Sequence, residues 1–345
     1  MLALVKTQKG VGHIELQEKP QPTFTDHEVL IEVKAAGICG TDVHVKHDTF
    51  PYWPPVILGH EFAGVIAEVG KNVVGWKAGD RVVGEPHTLH CGRCYLCRRG
   101  HVQNCAEKRS PGWGIDGAFT RYLKYDPKLL HGVPDEMPYD QAALVEPAAN
   151  CVTDIVERQA IEAGDFVVLL GPGPIGLLAA QVARAAGARD VMIVGAPADE
   201  ELRLATARKL GFENVVNFAE SNPVEACLEQ TGGVGADLVI ECSGAPPAIA
   251  QTFDLVRKWG RICAIGLTGK RPVELDWDAA MAKVATLYFN MSTEYGSWDK
   301  TIALMQDGRI DVEPIITHRL PLTEWEKGFE VAENMEALKV VFHPE

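Results

Sequence analysis

An α/β chain in two parts is predicted, one part a parallel sheet wrapped by helices, the other rich in short strands. Two observations predict it. From about residue 160 to about 290, apolar strands alternate with helical patterns, which implies right-handed βαβ units. The first 130 or so residues instead hold short strands and turns, with little helical periodicity. The length agrees, because 345 residues at roughly 150 per domain suggests about two domains.

In chain order, residues 29–33 (Val-Leu-Ile-Glu-Val) and 63–69 read as strands, and Gly79-Asp80 is a turn before a strand at 81–83. In the alternating region the strands are 166–170, 191–194, 238–241 and 262–265. Ile175, Leu178, Ala179 and Val182 have i, i+3, i+4, i+7 spacing and mark a helix. The text becomes mixed after about residue 290 and ends in a strand-like 339–342.

Lys+Arg is 33 and Asp+Glu is 47, a net charge of −14, which disfavours a general nucleic-acid binder. The 46% hydrophobic content is too high for a disordered chain. Nine cysteines is an odd count, and four crowd into residues 91–105, a pattern of reduced thiols and metal rather than disulfides. Met1 to Lys6 has no apolar run of signal-peptide length. The apolar stretch 166–183 is broken by Gly171, Pro172, Gly173, Pro174 and Gly176 and carries Gln181, so it is not a membrane span of about 20 residues. A soluble, cytoplasmic protein with no membrane partner is expected.

Gly171, Gly173 and Gly176 form a G-x-G-x-x-G between a buried strand and an amphipathic helix. Glycines there let the backbone turn tightly and approach a pyrophosphate, which the helix N-terminus attracts. Pro174, followed by Ile175, suits the first helical turn. A dinucleotide site is therefore expected. An acid for the adenosine ribose belongs at the end of the second strand, but Gly195 stands there. Asp199 or Glu200 could reach the ribose, or Arg203 a 2′-phosphate; all three could equally be solvated residues at a helix start. NAD is expected, with NADP as the alternative.

Cys91, Cys94, Cys97 and Cys105 lie within fifteen residues. Four thiolates on a short loop can close a tetrahedral shell around zinc and leave no position for water, so this is a structural site. Redox thiols are the alternative. Arg93, Arg98 and Arg99 in the lobe suggest a nucleic-acid ribbon, but the overall acidity opposes that. A second set of donors is scattered: Cys39 in Gly37-Ile38-Cys39-Gly40-Thr41-Asp42-Val43-His44, then His60-Glu61, then Glu146. A catalytic zinc needs three protein ligands and an open position, which these residues can provide. Each alone reads equally well as a buried thiol, a core histidine or a solvated glutamate.

Gly59-His60-Glu61-x2-Gly64-x5-Gly70-x2-Val73 resembles the zinc signature of medium-chain alcohol dehydrogenases. The Cys39 block, the cysteine lobe and the glycine fingerprint follow in that family's order, and the resemblance spans essentially the whole chain. It is nearest the polyol (sorbitol-type) and threonine dehydrogenase branches, and Glu146-Pro147 stands where the polyol branch carries a glutamate. The fold implied is a GroES-like β-rich catalytic domain, 1–149 and 292–345, around a Rossmann coenzyme domain, 150–291. The resemblance implies Cys39, His60 and Glu146 as catalytic zinc ligands, with Glu61 as a ligand or near neighbour that exchanges with water. It implies Asp42 as the acid that orients the histidine, Thr41 as the hydroxyl that passes the substrate proton, and His44 as the outer base. The activity implied is hydride transfer between a secondary alcohol and NAD(P), with two zinc ions per chain, in a homotetramer or homodimer.

Within that family, a polyol or sugar-like substrate is expected. Glu146 makes the metal site harder and more polar than a third cysteine would. Glu85-Pro86 resembles the polyol branch, and Trp53 and Phe119 stand in segments that by resemblance border the substrate cleft, although core packing explains them as well. L-threonine is the rival, because Gly84-Glu85-x-His87, Ser243-Gly244-Ala245-Pro246-Pro247 and Pro314-Ile315-Ile316-Thr317-His318 resemble that branch. A zinc-free quinone reductase is opposed by Cys39, Glu61 and the cysteine lobe. A non-catalytic nucleotide-binding relative would be expected to lose a ligand or Thr41.

Overall fold

The computed structural model describes residues 1–158, 160–269 and 272–345. They form two compact units: Met1–Glu146 with Thr293–Ile302 and Ile316–Glu345, and Pro147–Ser292 with Ala303–Ile315. In chain order the strands of the opening segment are β1 (Leu2–Lys6), β2 (Ile14–Glu18), β3 (Val29–Gly37), β4 (Val56–Ile57), β5 (Glu61–Val69), β6 (Arg81–Gly84), β7 (Tyr122–Tyr125) and β8 (Leu130–Gly132). Then come β9 (Phe166–Leu170), β10 (Asp190–Gly195), β11 (Val215–Asn217), β12 (Ala236–Glu241), β13 (Val256–Ala264) and β14 (Thr286–Phe289). The chain closes with β15 (Ile316–Pro321) and β16 (Lys339–His343).

The first unit holds a small antiparallel sheet, β2-β1-β4, and a larger one ordered β15-β16-β3-β5-β6-β8, with β7 also on β3. Its core joins Val29, Ile31, Val33, Phe62, Ile66, Val82, Phe119 and Phe342, each buried. Each such side chain contributes about 1.5–3 kcal/mol. β3 and β5 pair antiparallel with Gly37 opposite Glu61, while Val341 of β16 lies opposite Gly37 on the other side. This register sets the end of β3, the start of β5 and β16 side by side. Cys39 follows directly on β3, and His60 directly precedes β5. The short helix Gly40–Lys46 that Cys39 opens is too brief to leave a periodic trace in the sequence.

The second unit is a six-stranded parallel sheet ordered β11-β10-β9-β12-β13-β14. The order reverses beside β9, the switch point at which such sheets bind dinucleotides. All five residues of β9, Phe-Val-Val-Leu-Leu, are buried, as a strand covered on both faces requires. Helix Pro174–Ala185 follows it. Its Gln181 is fully buried and both donates to the Asp311 carbonyl (3.1 Å) and accepts from the Asp311 N–H (2.8 Å), which fastens 303–315 to this unit. β13 starts at Val256, six residues before the strand read from the sequence, because Arg257, Lys258 and Trp259 are not buried and hide the apolar pattern. Among the described residues no helix is long and apolar enough to cross a membrane.

Candidate metal centres and coenzyme site

The pairing of β3 with β5 brings one ligand atom each of Cys39, His60 and Glu61 within 4.8 Å of one another. Asp42 ties the first two together. Its carboxylate accepts from the Cys39 N–H at 2.9 Å and the Gly59 N–H at 3.3 Å, and faces His60 Nδ1 at 4.0 Å. Gly59 has φ +89° and leaves space that the Phe119 ring occupies, so a side chain there would displace the histidine's neighbour. His60 and Asp42 are buried, and His60 Nδ1 has no hydrogen-bond partner. Burial pulls the imidazole pKa down, but Cys39, Asp42 and Glu146 prevail and raise it to about 10. Burial raises the Asp42 carboxyl, offset in part by His60. Anionic donors around a shielded imidazole make a pocket that demands a cation, and thiolate, imidazole and carboxylate form a donor set that fits zinc.

Glu146 lies near the start of helix Val145–Val152 and is buried. Its charge is felt at His60, but its carboxylate is not in the cluster of three. Glu61 is in the cluster and is engaged otherwise: both its oxygens accept from Lys339 Nζ at 2.8 Å. The Thr41 hydroxyl lies 3.7 Å from Cys39 Sγ. His44, three residues on in the same helix, has Nδ1 2.9 Å from the Thr49 hydroxyl.

The cysteine lobe is preorganised. Cys91 Sγ is 3.9 Å from Cys97 and 3.6 Å from Cys105, and Cys94 Sγ is 3.5 Å from Cys97. Four sulfurs at about 2.3 Å from one zinc would stand about 3.8 Å apart, so the spacing fits a closed shell. All four thiols are free, and one sulfur of each lies within 4.8 Å of the rest. Backbone N–H groups of Arg93 and Cys94 point at Cys91 and hold its thiol pKa down to about 6. Arg93 pairs with Glu107 at 3.2 Å on the exposed surface of the lobe.

At the glycine fingerprint each glycine has a distinct reason. Gly171 has φ +94°, and a Cβ there would meet Ser243. A Cβ at Gly176 would overlap the Gly171 carbonyl, so its absence lets helix and strand close up. Gly173 caps helix Pro174–Ala185, and nothing lies within 4 Å of where its Cβ would be, which leaves room for a phosphate. Ile175 sits in the first turn, and its carbonyl faces the Cys151 thiol at 3.5 Å. A Cβ at Gly195 would press on Leu204 and Pro172, a packing reason for the missing acid. Asp199 instead accepts from the Ala196 N–H at 2.8 Å and from Arg203 at 2.6 Å. Glu200 binds Arg208 at 2.7 Å and Asn217 at 3.1 Å. Two acids and one arginine read as candidate ribose or phosphate contacts are thus paired within the protein.

Phe119 is a core ring, fully buried and edge-on to Phe342. Trp53 is 41% exposed, with the Arg109 guanidinium 3.5 Å over its ring. Several polar groups escaped the sequence reading. Lys339 is one, signalled only by a lysine inside a buried strand. His131 is another: Nε2 meets Glu85 at 3.1 Å, Nδ1 meets Asp299 at 2.7 Å, and Trp298 stacks on its ring. Burial lowers its pKa, but the two acids prevail and raise it. Burial draws the Lys108 ammonium down to about 8, against the opposing charge of Glu146.

Two family models match: the alcohol dehydrogenase GroES-like domain over residues 25–135 and the zinc-binding dehydrogenase over 174–307. The sorbitol dehydrogenase of Halalkalibacterium halodurans is 37% identical over 344 residues, covering 100% of this chain and 99% of that one. The L-threonine 3-dehydrogenase of Bacillus velezensis is 36% identical over 352 residues, with 100% and 99% covered. A provisional zinc-binding dehydrogenase from Sinorhizobium meliloti, solved with NADP, superposes with a TM-score of 0.91 at 30% identity over 99% of each chain. The chain belongs to the zinc-dependent medium-chain alcohol dehydrogenase family. It is an NAD(P)-dependent alcohol oxidoreductase with a GroES-like domain and a Rossmann domain.

Proposed function

We propose that the enzyme oxidises a secondary alcohol on a polyhydroxylated carbon chain with NAD, at a zinc held by Cys39, His60 and Glu146. The observation that carries this reading is the meeting of the half-buried Cys39 thiol with the buried His60 imidazole, in the field of Asp42 and Glu146, which together push His60 to about 10. A zinc bound there supplies a Lewis acid that makes the alcohol oxygen more acidic. Asp42 orients His60 and fixes Cys39 through its N–H. The Thr41 hydroxyl, beside Cys39 Sγ, takes the substrate proton and passes it outward, and His44 one helical turn on is the outer base. Cys91, Cys94, Cys97 and Cys105 hold a second, structural zinc.

Pairing of Arg203 with Asp199 supports NAD, because a neutralised guanidinium has less to offer a 2′-phosphate. The sorbitol dehydrogenase relative and Glu146 support a polyol, and Lys108, which feels the charge of that carboxylate, adds a polar partner suited to adjacent hydroxyls. Exposed Leu287 and Phe289 on the edge strand β14 support a homodimer or homotetramer. A cytoplasmic location accords with the free thiols. The test is a kcat/KM panel of pentitols, hexitols, L-threonine and simple alcohols with each coenzyme. Polyols with NAD should lead; threonine turned over far better than any polyol would replace the substrate assignment.

A further inference from the structure

His44 stands in the last turn of the helix Gly40–Lys46, and the segment that follows turns back on it. Asp48 has a left-handed φ of +58°, and the Thr49 N–H returns to the His44 carbonyl at 2.9 Å. That turn sets the Thr49 hydroxyl 2.9 Å from His44 Nδ1 and 3.2 Å from the His44 carbonyl, to which it donates. The segment is clamped at both ends by the turn between β1 and β2. At one end the Gly12 N–H donates to the Lys46 carbonyl at 2.8 Å. At the other, Tyr52 is 1% exposed, and its hydroxyl accepts from the Gly10 N–H at 3.0 Å and donates to Asp48. Lys9 Nζ lies 3.6 Å over the Tyr52 ring and donates to the Tyr52 carbonyl. Lys6, fully buried, closes the clamping turn by donating to the carbonyls of Gly10 and Gly12 at 2.5 Å each.

We propose that Thr49 is a positioning residue that holds neutral His44 in the form protonated at Nδ1, so that Nε2 is the atom that takes the relayed proton. This rests on the reading of His44 as the outer base. A threonine hydroxyl has one hydrogen to give and an oxygen that accepts. If the hydrogen goes to the His44 carbonyl, the oxygen accepts from Nδ1–H, and the hydroxyl makes two bonds. If it goes to Nδ1 instead, the bond to the carbonyl is lost and one remains. The two-bond arrangement therefore prevails, and it leaves the ring's lone pair on Nε2. The proton passed outward by Thr41 binds at Nε2 and leaves from Nε2 to water, while Nδ1 keeps its own hydrogen on Thr49. Without the hydroxyl, Nδ1 loses its acceptor and the preference goes with it.

The test uses the full-length, zinc-loaded protein labelled with ¹⁵N at histidine, as wild type, Thr49→Val, Thr49→Ser and His44→Ala. Long-range ¹H–¹⁵N spectra at alkaline pH distinguish the two neutral forms of imidazole, and the signals missing from His44→Ala assign His44. Wild type and Thr49→Ser should show the Nδ1–H form in excess. Thr49→Val should lower the ratio of Nδ1–H to Nε2–H roughly two- to tenfold, the size of one neutral hydrogen bond. Its kcat for alcohol oxidation should fall by a similar factor, and that loss should vanish when His44 is already alanine. A loss that persists in Thr49→Val/His44→Ala is structural and overturns the positioning role. A folded Thr49→Val with an unchanged ratio also overturns the proposal, and wild type with Nε2–H in excess does so whether or not the variants fold. Failure of the outer-base reading looks different: the Nδ1–H form prevails as expected, yet His44→Ala oxidises alcohol as fast as wild type.

Discussion

Asp42 and Asp199 show how a residue's partners decide what a motif means. Asp42 lies in a short helix, yet it binds the backbone at both Cys39 and Gly59 and so joins two donors twenty positions apart. Beside it, Thr41 has its hydroxyl at the Cys39 thiol. Thr41→Val keeps the shape and removes the hydroxyl, so alcohol oxidation should fall by about 10²–10⁴-fold, the usual worth of a positioned proton carrier. Metal content should be unchanged by atomic absorption, and near-normal turnover at neutral pH would count against the relay. Asp199 spends its carboxylate on Ala196 and Arg203. Asp199→Ala should free the guanidinium for a 2′-phosphate and raise the NADP/NAD ratio of kcat/KM about tenfold, as one charge-assisted contact of about 1.5–3 kcal/mol allows. Adding Arg203→Ala should cancel the gain, and an unchanged ratio in the single variant would remove Arg203 from coenzyme selection.

Among the elements, β8 and the helix Tyr295–Gln306 are joined by His131, which carries Glu85 on one nitrogen and Asp299 on the other. The two acids favour its charged form, so its pKa in the folded protein lies above the ordinary value. A raised histidine contributes stability that is fully present below about pH 6.5, the unfolded value, and is lost as pH rises through the folded value. The difference in Tm between wild type and His131→Gln should therefore be largest near pH 6 and shrink toward pH 9. A difference independent of pH would mean that packing under Trp298, not charge, is what His131 contributes.

At the scale of the whole molecule, the two candidate metal centres of the first unit should serve different ends. Two zinc ions per 37.6 kDa chain are expected by elemental analysis. Cys94→Ser opens the closed four-sulfur shell, and should lower Tm by roughly 5–10 °C, at about 2–4 °C per kcal/mol for a unit of this size. Cys39→Ser should leave Tm within about 2 °C of wild type and abolish most turnover, because the loss falls on the substrate site. Equal effects of the two on melting, or one zinc per chain, would refute the division of labour.

Where chemistry is carried by neighbours in sequence, the sequence alone determined the outcome. The four cysteines within fifteen residues and the glycine turn between strand and helix were legible because their spacing already fixes which atoms can meet. The apolar runs of β9, β10, β12 and the later part of β13 were legible because burial on both faces demands them. The meeting of Cys39 with His60 was suggested only by family likeness, since nothing local encodes the pairing of β3 with β5. Tertiary structure alone decided the partners of Glu61, Asp199 and His131. Lys339 is 278 positions from Glu61 and reaches it only because β16 lies against β3. A buried charge must find its counter-charge in space, and the chain brings such partners together through strand register, which local sequence does not record.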